Sequence, residues 1–342
     1  MSNANRGLGE CIKTRRPVGV RPGEDPLSAP SIEAKNLSKQ YGSFTALSNL
    51  NLKIEGSKCV GFLGPNGAGK TTTLKIFTDM IRASEGRALI NGIDVHLNKK
   101  KALGSVGALI ESPEIYPALT PRKALSMVAE IRGLPRSEAR KKIEETVAEV
   151  KMNEWLDKKV GKFSKGMKQR INIAAALLSD PEVILLDEPT TGLDPRGQAE
   201  VRDIVKDLKK KNRLVFMSSH LLNEVQEICD EVAMIDHGKL VVYDSLSNVT
   251  KRFSTDGASV VEIELSRDID EQSLKMNIAS MANVSSVERL DSRKIRVHFS
   301  GGIQNQERLL SDLVAMKIGM ISFRPSASAL EETYLSLIKD TL

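Results

Sequence analysis

Aromatic side chains are scarce in this chain of 342 residues, at 4%, which leaves little to stack on exposed bases. Cysteine is scarcer still. Cys11, Cys59 and Cys229 have neither metal-ligand spacing nor an even count, a usage that points to a reducing compartment. No run of eighteen apolar residues occurs and the first thirty residues hold no hydrophobic stretch, so neither a membrane span nor a secretory signal is expected. A cytoplasmic location follows. Charge of one sign is not concentrated either. The net charge is +6 and the pI about 9.1, yet lysine and arginine are spread beside many carboxylates. That dispersal describes a solvated mixed-charge surface better than a patch for nucleic acid or an anionic membrane. What is present is 40% hydrophobic residues in a length exceeding one ordinary domain, so a large core domain with a smaller companion is expected.

The most informative stretch is Gly64-Pro65-Asn66-Gly67-Ala68-Gly69-Lys70-Thr71, the spacing of a phosphate-binding loop, preceded by the apolar run Val60 to Leu63 and followed by Thr72 to Phe77. A strand feeding a glycine-rich turn and then a helix presents backbone N–H groups and a positive helix end to a polyphosphate. Gly64, Gly67 and Gly69 let the backbone approach phosphate oxygens, Lys70 brings a mobile charge to the β- and γ-phosphates, and the Thr71 hydroxyl can ligate Mg²⁺. A nucleoside triphosphate is the expected ligand.

Punctuation divides the chain into three parts. Residues 1–30 carry Arg6, Lys13, Arg15, Arg16 and Arg21 among Gly and Pro and read as a flexible basic tail. Residues 31–250 alternate strand-like runs at Leu50 to Ile54, Cys59 to Leu63, Val183 to Leu186, Leu214 to Met217 and Val232 to Ile235 with helical stretches. Those stretches are Thr71 to Ile81, Pro121 to Arg132, Ser137 to Lys151, Met167 to Leu178, Arg196 to Lys211 and Leu221 to Cys229. This is the rhythm of an α/β fold with a mostly parallel sheet. Residues 251–342 change to strand, helix, two strands, helix and strand, a β-α-β-β-α-β order that predicts a small α+β ferredoxin-like domain. Its elements are Ser259 to Leu265, Asp270 to Met281, Ser285 to Leu290, Lys294 to Phe299, Gln304 to Met316 and Met320 to Arg324. A last amphipathic helix is expected over Leu330 to Ile338.

Phosphate loops serve several chemistries, and the next acidic pair narrows them. Val183 to Leu186 is a fully apolar strand ending in Asp187-Glu188. Asp187 suits the Mg²⁺ shell, and Glu188 suits orientation and deprotonation of an attacking water, leaving positional and electrostatic work to the protein.

With these residues placed, the stretch from about Ile32 to Ser247 resembles the ATP-binding subunit of ABC transporters, which implies a P-loop NTPase cassette with a helical subdomain. Phe163 to Arg170 looks like the family's signature motif, Thr191-Gly192-Leu193-Asp194 like its D-loop, and His220 like its switch histidine. Tyr41 stands where the family stacks a ring on adenine. The resemblance implies that Tyr41, residues 64–72 including Thr72, and Asp194 bind ATP. It also implies that Ser164 and Gly166 close on the γ-phosphate held by a second cassette, so that two copies sandwich two ATP molecules.

Three positions depart from the family pattern. Lys165 replaces a usual glycine, Met167 a usual glutamine, and Glu111 stands where a metal-touching glutamine is usual; no glutamine occurs between Lys70 and Gln169. A carboxylate there keeps an oxygen for the metal and adds negative charge. The resemblance further implies a separate transmembrane permease gripped through residues 108–120. It places the chain on the inner face of the membrane and, from the cassette-plus-tail layout, in an export system. One other class shares the cassette, soluble ATPases acting on ribosomes or DNA. Those usually carry tandem cassettes or a coiled-coil insertion, and neither is present here.

Overall fold

The computed structural model describes residues 29–111, 114–253, 258–268, 277–301 and 303–325. The basic tail, most of the helix expected at Asp270 to Met281 and the one expected at Leu330 to Ile338 lie outside the described residues.

Two sheets build residues 31–245. The first is four-stranded and antiparallel, ordered β2 (Phe44–Glu55), β1 (Ser31–Tyr41), β4 (Glu85–Ile90), β5 (Ile93–Asp94). The second is six-stranded, ordered β10 (Lys239–Ser245), β9 (Glu231–Asp236), β3 (Cys59–Leu63), β8 (Leu214–Ser219), β7 (Val183–Leu186), β6 (Val106–Leu109). It is parallel throughout except for the β9–β10 hairpin. This second sheet is the mostly parallel one read from the sequence; β1, β2, β4 and β5 form a separate antiparallel layer, and the Leu50 to Ile54 run belongs to that layer.

Alternation explains how the parallel strands can be apolar throughout. Ile184 and Leu186 of β7, with Val215 and Met217 of β8, face one core. That core is filled by α3 (Pro121–Ile131), α4 (Arg136–Glu149), α5 (Lys165–Leu177), α6 (Pro195–Lys209) and α7 (Leu222–Ile228). Val183, Leu185, Leu214 and Phe216 face the opposite core, shared with α1 (Lys70–Phe77) and the antiparallel sheet; a short α2 (Lys99–Ala102) adds Ala102. Phe216 packs against Phe62 at 5.1 Å between ring centres and edge-on to Phe77 at 6.4 Å.

Helix ends fall within two residues of the sequence-based spans, with one larger correction. The helix after the phosphate loop stops at Phe77, not Ile81. Thr78 turns its hydroxyl back onto the Leu74 carbonyl at 3.0 Å, and Asp79 takes φ of 49°, which no helix can continue. Cys59 of β3 and Cys229 at the end of α7 are free thiols whose Sγ atoms lie 3.6 Å apart in one core, a contact that sequence spacing does not reveal.

After α8 (Leu246–Phe253), a third sheet is ordered β12 (Val284–Arg289), β13 (Lys294–Ser300), β11 (Ala258–Leu265), β14 (Met320–Pro325), with every neighbouring pair antiparallel. Val261, Ile263, Ile295, Val297 and Phe299 make its core with Leu309 and Leu313 of α9 (Ile303–Ala315).

Candidate functional site

The carboxyl ends of β3, β7, β8 and β9 meet at one edge of the parallel sheet, where open α/β sheets hold their ligands. Beyond β3 the chain enters residues 64–69. Gly69 takes φ of 104°, and a Cβ there would stand 2.7 Å from the Ala46 carbonyl oxygen, so the loop and β2 touch at a point only glycine permits. At Gly64 a Cβ would lie 2.3 Å from the Ile235 carbonyl oxygen. The loop is thus clamped between both sheets, while Asn66 and Gly67 at its crest stay exposed.

Lys70, 5% exposed, donates from Nζ to the carbonyls of Gly64 (2.8 Å) and Pro65 (3.0 Å), holding the loop in a cradle. Its Nζ lies 3.5 Å from Glu188 Oε1. Burial pushes the Lys70 pKa down, and the charges of Glu188 and Asp187 offset only part of that. Thr71 Oγ1 donates to Asp187 Oδ1 at 3.2 Å, so a hydroxyl and a carboxylate from distant segments stand side by side. The same Asp187 oxygen accepts from Ser218 Oγ at 2.7 Å, and Ser218 Oγ in turn accepts from the Glu188 backbone N–H at 2.9 Å.

Glu188 has φ of 42°, a conformation held by its surroundings. Its carboxylate accepts from Thr191 Oγ1 at 2.9 Å and lies 3.2 Å from His220 Nδ1, an atom that is buried and without a formed hydrogen bond. Partial burial works against the Glu188 charge, but Thr191, His220 and Lys70 together outweigh it and hold the carboxyl below its usual range. Glu188 is therefore ionised at neutral pH.

Residues 163–170 lead into α5. Ser164 caps α5, its Oγ accepting from the Met167 N–H at 3.2 Å, and it remains exposed. Gly166 packs against Gly197 at the start of α6, where a Cβ on Gly166 would stand 3.2 Å from the Gly197 Cα, which sets the Ser164 cap beside exposed Asp194.

The protein-family model described as ABC transporter matches residues 47–191. The bacitracin transport ATP-binding protein BcrA of Bacillus licheniformis is 35% identical over 90% of this chain and 97% of its own length. The chain belongs to the ABC transporter ATP-binding proteins. The linearmycin resistance ATP-binding protein LnrL of Bacillus subtilis is 30% identical over 91% of this chain and 99% of its own. Among solved structures, an ATP-binding subunit of an ABC transporter matches with a TM-score of 0.58 and 27% identity, over 65% of this chain and 93% of its own. A dimeric structure of MJ0796, a bacterial ABC transporter cassette, matches with a TM-score of 0.56 and 25% identity, over 63% of this chain and 98% of its own.

Within this ABC cassette the unusual positions acquire surroundings. Lys165 is exposed, and Met167 packs against the helical core. Glu111 follows β6, the strand beside β7, and pairs with Lys75 at 2.5 Å, 65% exposed at its side chain. Tyr41 ends β1 at the hairpin into β2, 48% exposed, with the Lys39 ammonium 4.9 Å from its ring centre. Sequence reading missed Ser218, and it missed Gln169, whose amide donates to the Pro189 carbonyl at 2.9 Å. Ser218-Ser219, at the end of the otherwise apolar β8, were the available signal for the first; Gln169, between Lys168 and Arg170, offered none.

Proposed function

We propose that this protein is the ATP-hydrolysing subunit of an exporter, powering transport through a permease on a separate chain. The observation that carries the reading is the convergence of Lys70, Thr71, Asp187, Glu188 and His220 within successive 3.2–3.5 Å contacts at one sheet edge. Residues 64–72 hold the triphosphate and Tyr41 lies against the base. Thr71 and Asp187, with Glu111 as a third oxygen, hold Mg²⁺. Their paired oxygens fit a hard cation that takes few protein ligands and completes its shell with phosphate and water. When bound, Mg²⁺ neutralises charge on the phosphates. Glu188 accepts the proton of the attacking water, His220 faces the γ-phosphate, and Lys70 stays charged within the loop.

Ser164, Gly166 and Asp194 serve the nucleotide of a second copy. The exposure of Ser164 and Asp194, with Gly166 buried against Gly197 between them, supports that assignment. No helix among the described residues is long and apolar enough to cross a membrane, which supports a permease on another chain and a peripheral place on the inner membrane face. An open groove of about 860 Å³ lined by Leu103, Val106, Ala108, Arg132 and Leu134 borders the proposed permease-contact loop at residues 108–120. Residues 112–113 of that loop lie outside the described residues. The names of BcrA and LnrL, bacitracin transport and linearmycin resistance, support removal of an antibiotic-like molecule from the cell.

Glu188→Gln tests the chemistry. ATP binding is expected within about twofold of the parent while turnover falls at least a hundredfold, the range for loss of a general base. Turnover at the parental rate would refute Glu188 as the base.

A further inference from the structure

Glu224 has no place in the machinery described so far, yet it is among the most buried charged side chains, 2% exposed. It sits in the first turn of α7, and its two carboxylate oxygens accept from different segments. Thr190 Oγ1 donates to Oε1, and Ser219 Oγ donates to Oε2 at 3.0 Å. Both hydroxyls are as hidden as the carboxylate, at 1% and 2% exposure. A carboxylate enclosed this way is held by its donors, and the donors are held by it, because neither side has water as an alternative.

The two segments are the ones that present the reacting groups. Thr190 lies two residues after Glu188, and its neighbour Thr191 donates to the Glu188 carboxylate. Ser219 immediately precedes His220, and its Oγ also accepts from the Leu221 N–H at 2.9 Å, fixing the turn that carries the histidine. Between them Glu188 and His220 stand 3.2 Å apart. We propose that Glu224 is a positioning residue for hydrolysis: its carboxylate ties the segment after β7 to the end of β8 and so sets the spacing of Glu188 and His220. The inference rests on the assignment of Glu188 and His220 above. A misplacement of about 1 Å at reacting groups costs on the order of a hundredfold in rate, so a latch of this kind acts on turnover without touching nucleotide.

The test is steady-state ATP turnover of the full chain with Mg²⁺ for Glu224→Gln, Thr190→Val, the double variant and Thr190→Ser, with the melting temperature recorded for each. Glu224→Gln is expected to lower kcat at least tenfold with KM for ATP within twofold, and Thr190→Val to do the same. The double variant should lose no more than the worse single one, because both weaken the same tie between the two segments. Thr190→Ser, which keeps the hydroxyl, should recover at least half the parental kcat. Parental kcat in Glu224→Gln, losses that multiply in the double variant, or a loss confined to KM would overturn the proposal. Should Glu224→Gln fail to fold, Thr190→Val against Thr190→Ser decides alone, and equal kcat in the two refutes the latch. If Glu188→Gln is inactive while Glu224→Gln is normal, only the latch fails; if Glu188→Gln turns over normally, the reading beneath it fails.

Discussion

Lys70 carries the central conflict at the scale of single residues. Its ammonium is almost fully buried, and burial lowers its hold on the proton, while the carboxylates of Glu188 and Asp187 only partly compensate. A cation so placed is stabilised by any further negative charge brought to the loop, such as the phosphates of the proposed ligand. Glu111 poses the opposite question, since it is an exposed acid with a partner of its own in Lys75. Exposed pairs contribute about 0–1 kcal/mol, so Glu111→Gln should leave the melting temperature nearly unchanged. If Glu111 also contributes an oxygen to the metal, that variant should raise the Mg²⁺ concentration at half-maximal turnover several-fold, read from a magnesium titration at saturating ATP. An unmoved titration would leave Glu111 as a partner of Lys75 alone.

Among elements, one tie outside the sheet runs through Arg213, just before β8. Its guanidinium, 5% exposed, donates to Glu149 at the end of α4 (2.8 Å) and to Asp180 beyond α5 (2.7 Å). Burial opposes the charges of both acids. Arg213, joined by Lys211 at Glu149 and by Lys142 at Asp180, outweighs it and holds both carboxyls below their usual range. Groups depressed in this way add stability above the ordinary carboxylate range near pH 4 and lose it as pH falls through their lower folded values. Arg213→Met should therefore cost about 2–3 kcal/mol at pH 7, below the figure for fully enclosed pairs because Asp180 is exposed, and should flatten the decline of melting temperature below pH 4. An unchanged acid limb in thermal melts would contradict the network.

This is also the scale at which sequence and structure part company. β3, β7, β8 and β9 were legible because both faces are buried and the runs are apolar throughout. The antiparallel layer was not. β1 is half solvated, its register against β2 shifts at several points, and Asn36 takes φ of 49°, so the two-residue alternation breaks where it would have been read. β6 escaped notice because four residues including Gly107 make too short a run, although its glycine allows the close approach of the Ala176 carbonyl. Lys70, Thr71, Asp187 and Glu188 were legible from local spacing. The parts played by Ser218, Gln169 and Glu224 were not, because each joins segments between 5 and 34 residues apart in ways no local pattern encodes.

For the whole molecule, the decisive arrangement is what one chain leaves unfinished. The triphosphate loop, the acids and His220 gather at one sheet edge, whereas the Ser164 cap and Asp194 are exposed on the helical side with no nucleotide group of their own chain described against them. In the proposed assembly, two copies placed head to tail would complete both sites in a closed two-fold arrangement. Light-scattering mass measurement on Glu188→Gln with ATP and Mg²⁺ tests this most directly, with Ser164→Trp added in the same background as the control. The account predicts twice the chain mass for Glu188→Gln with nucleotide and a single chain once Ser164→Trp is added. A single-chain mass under both conditions, alongside parental turnover by strictly monomeric protein, would contradict it.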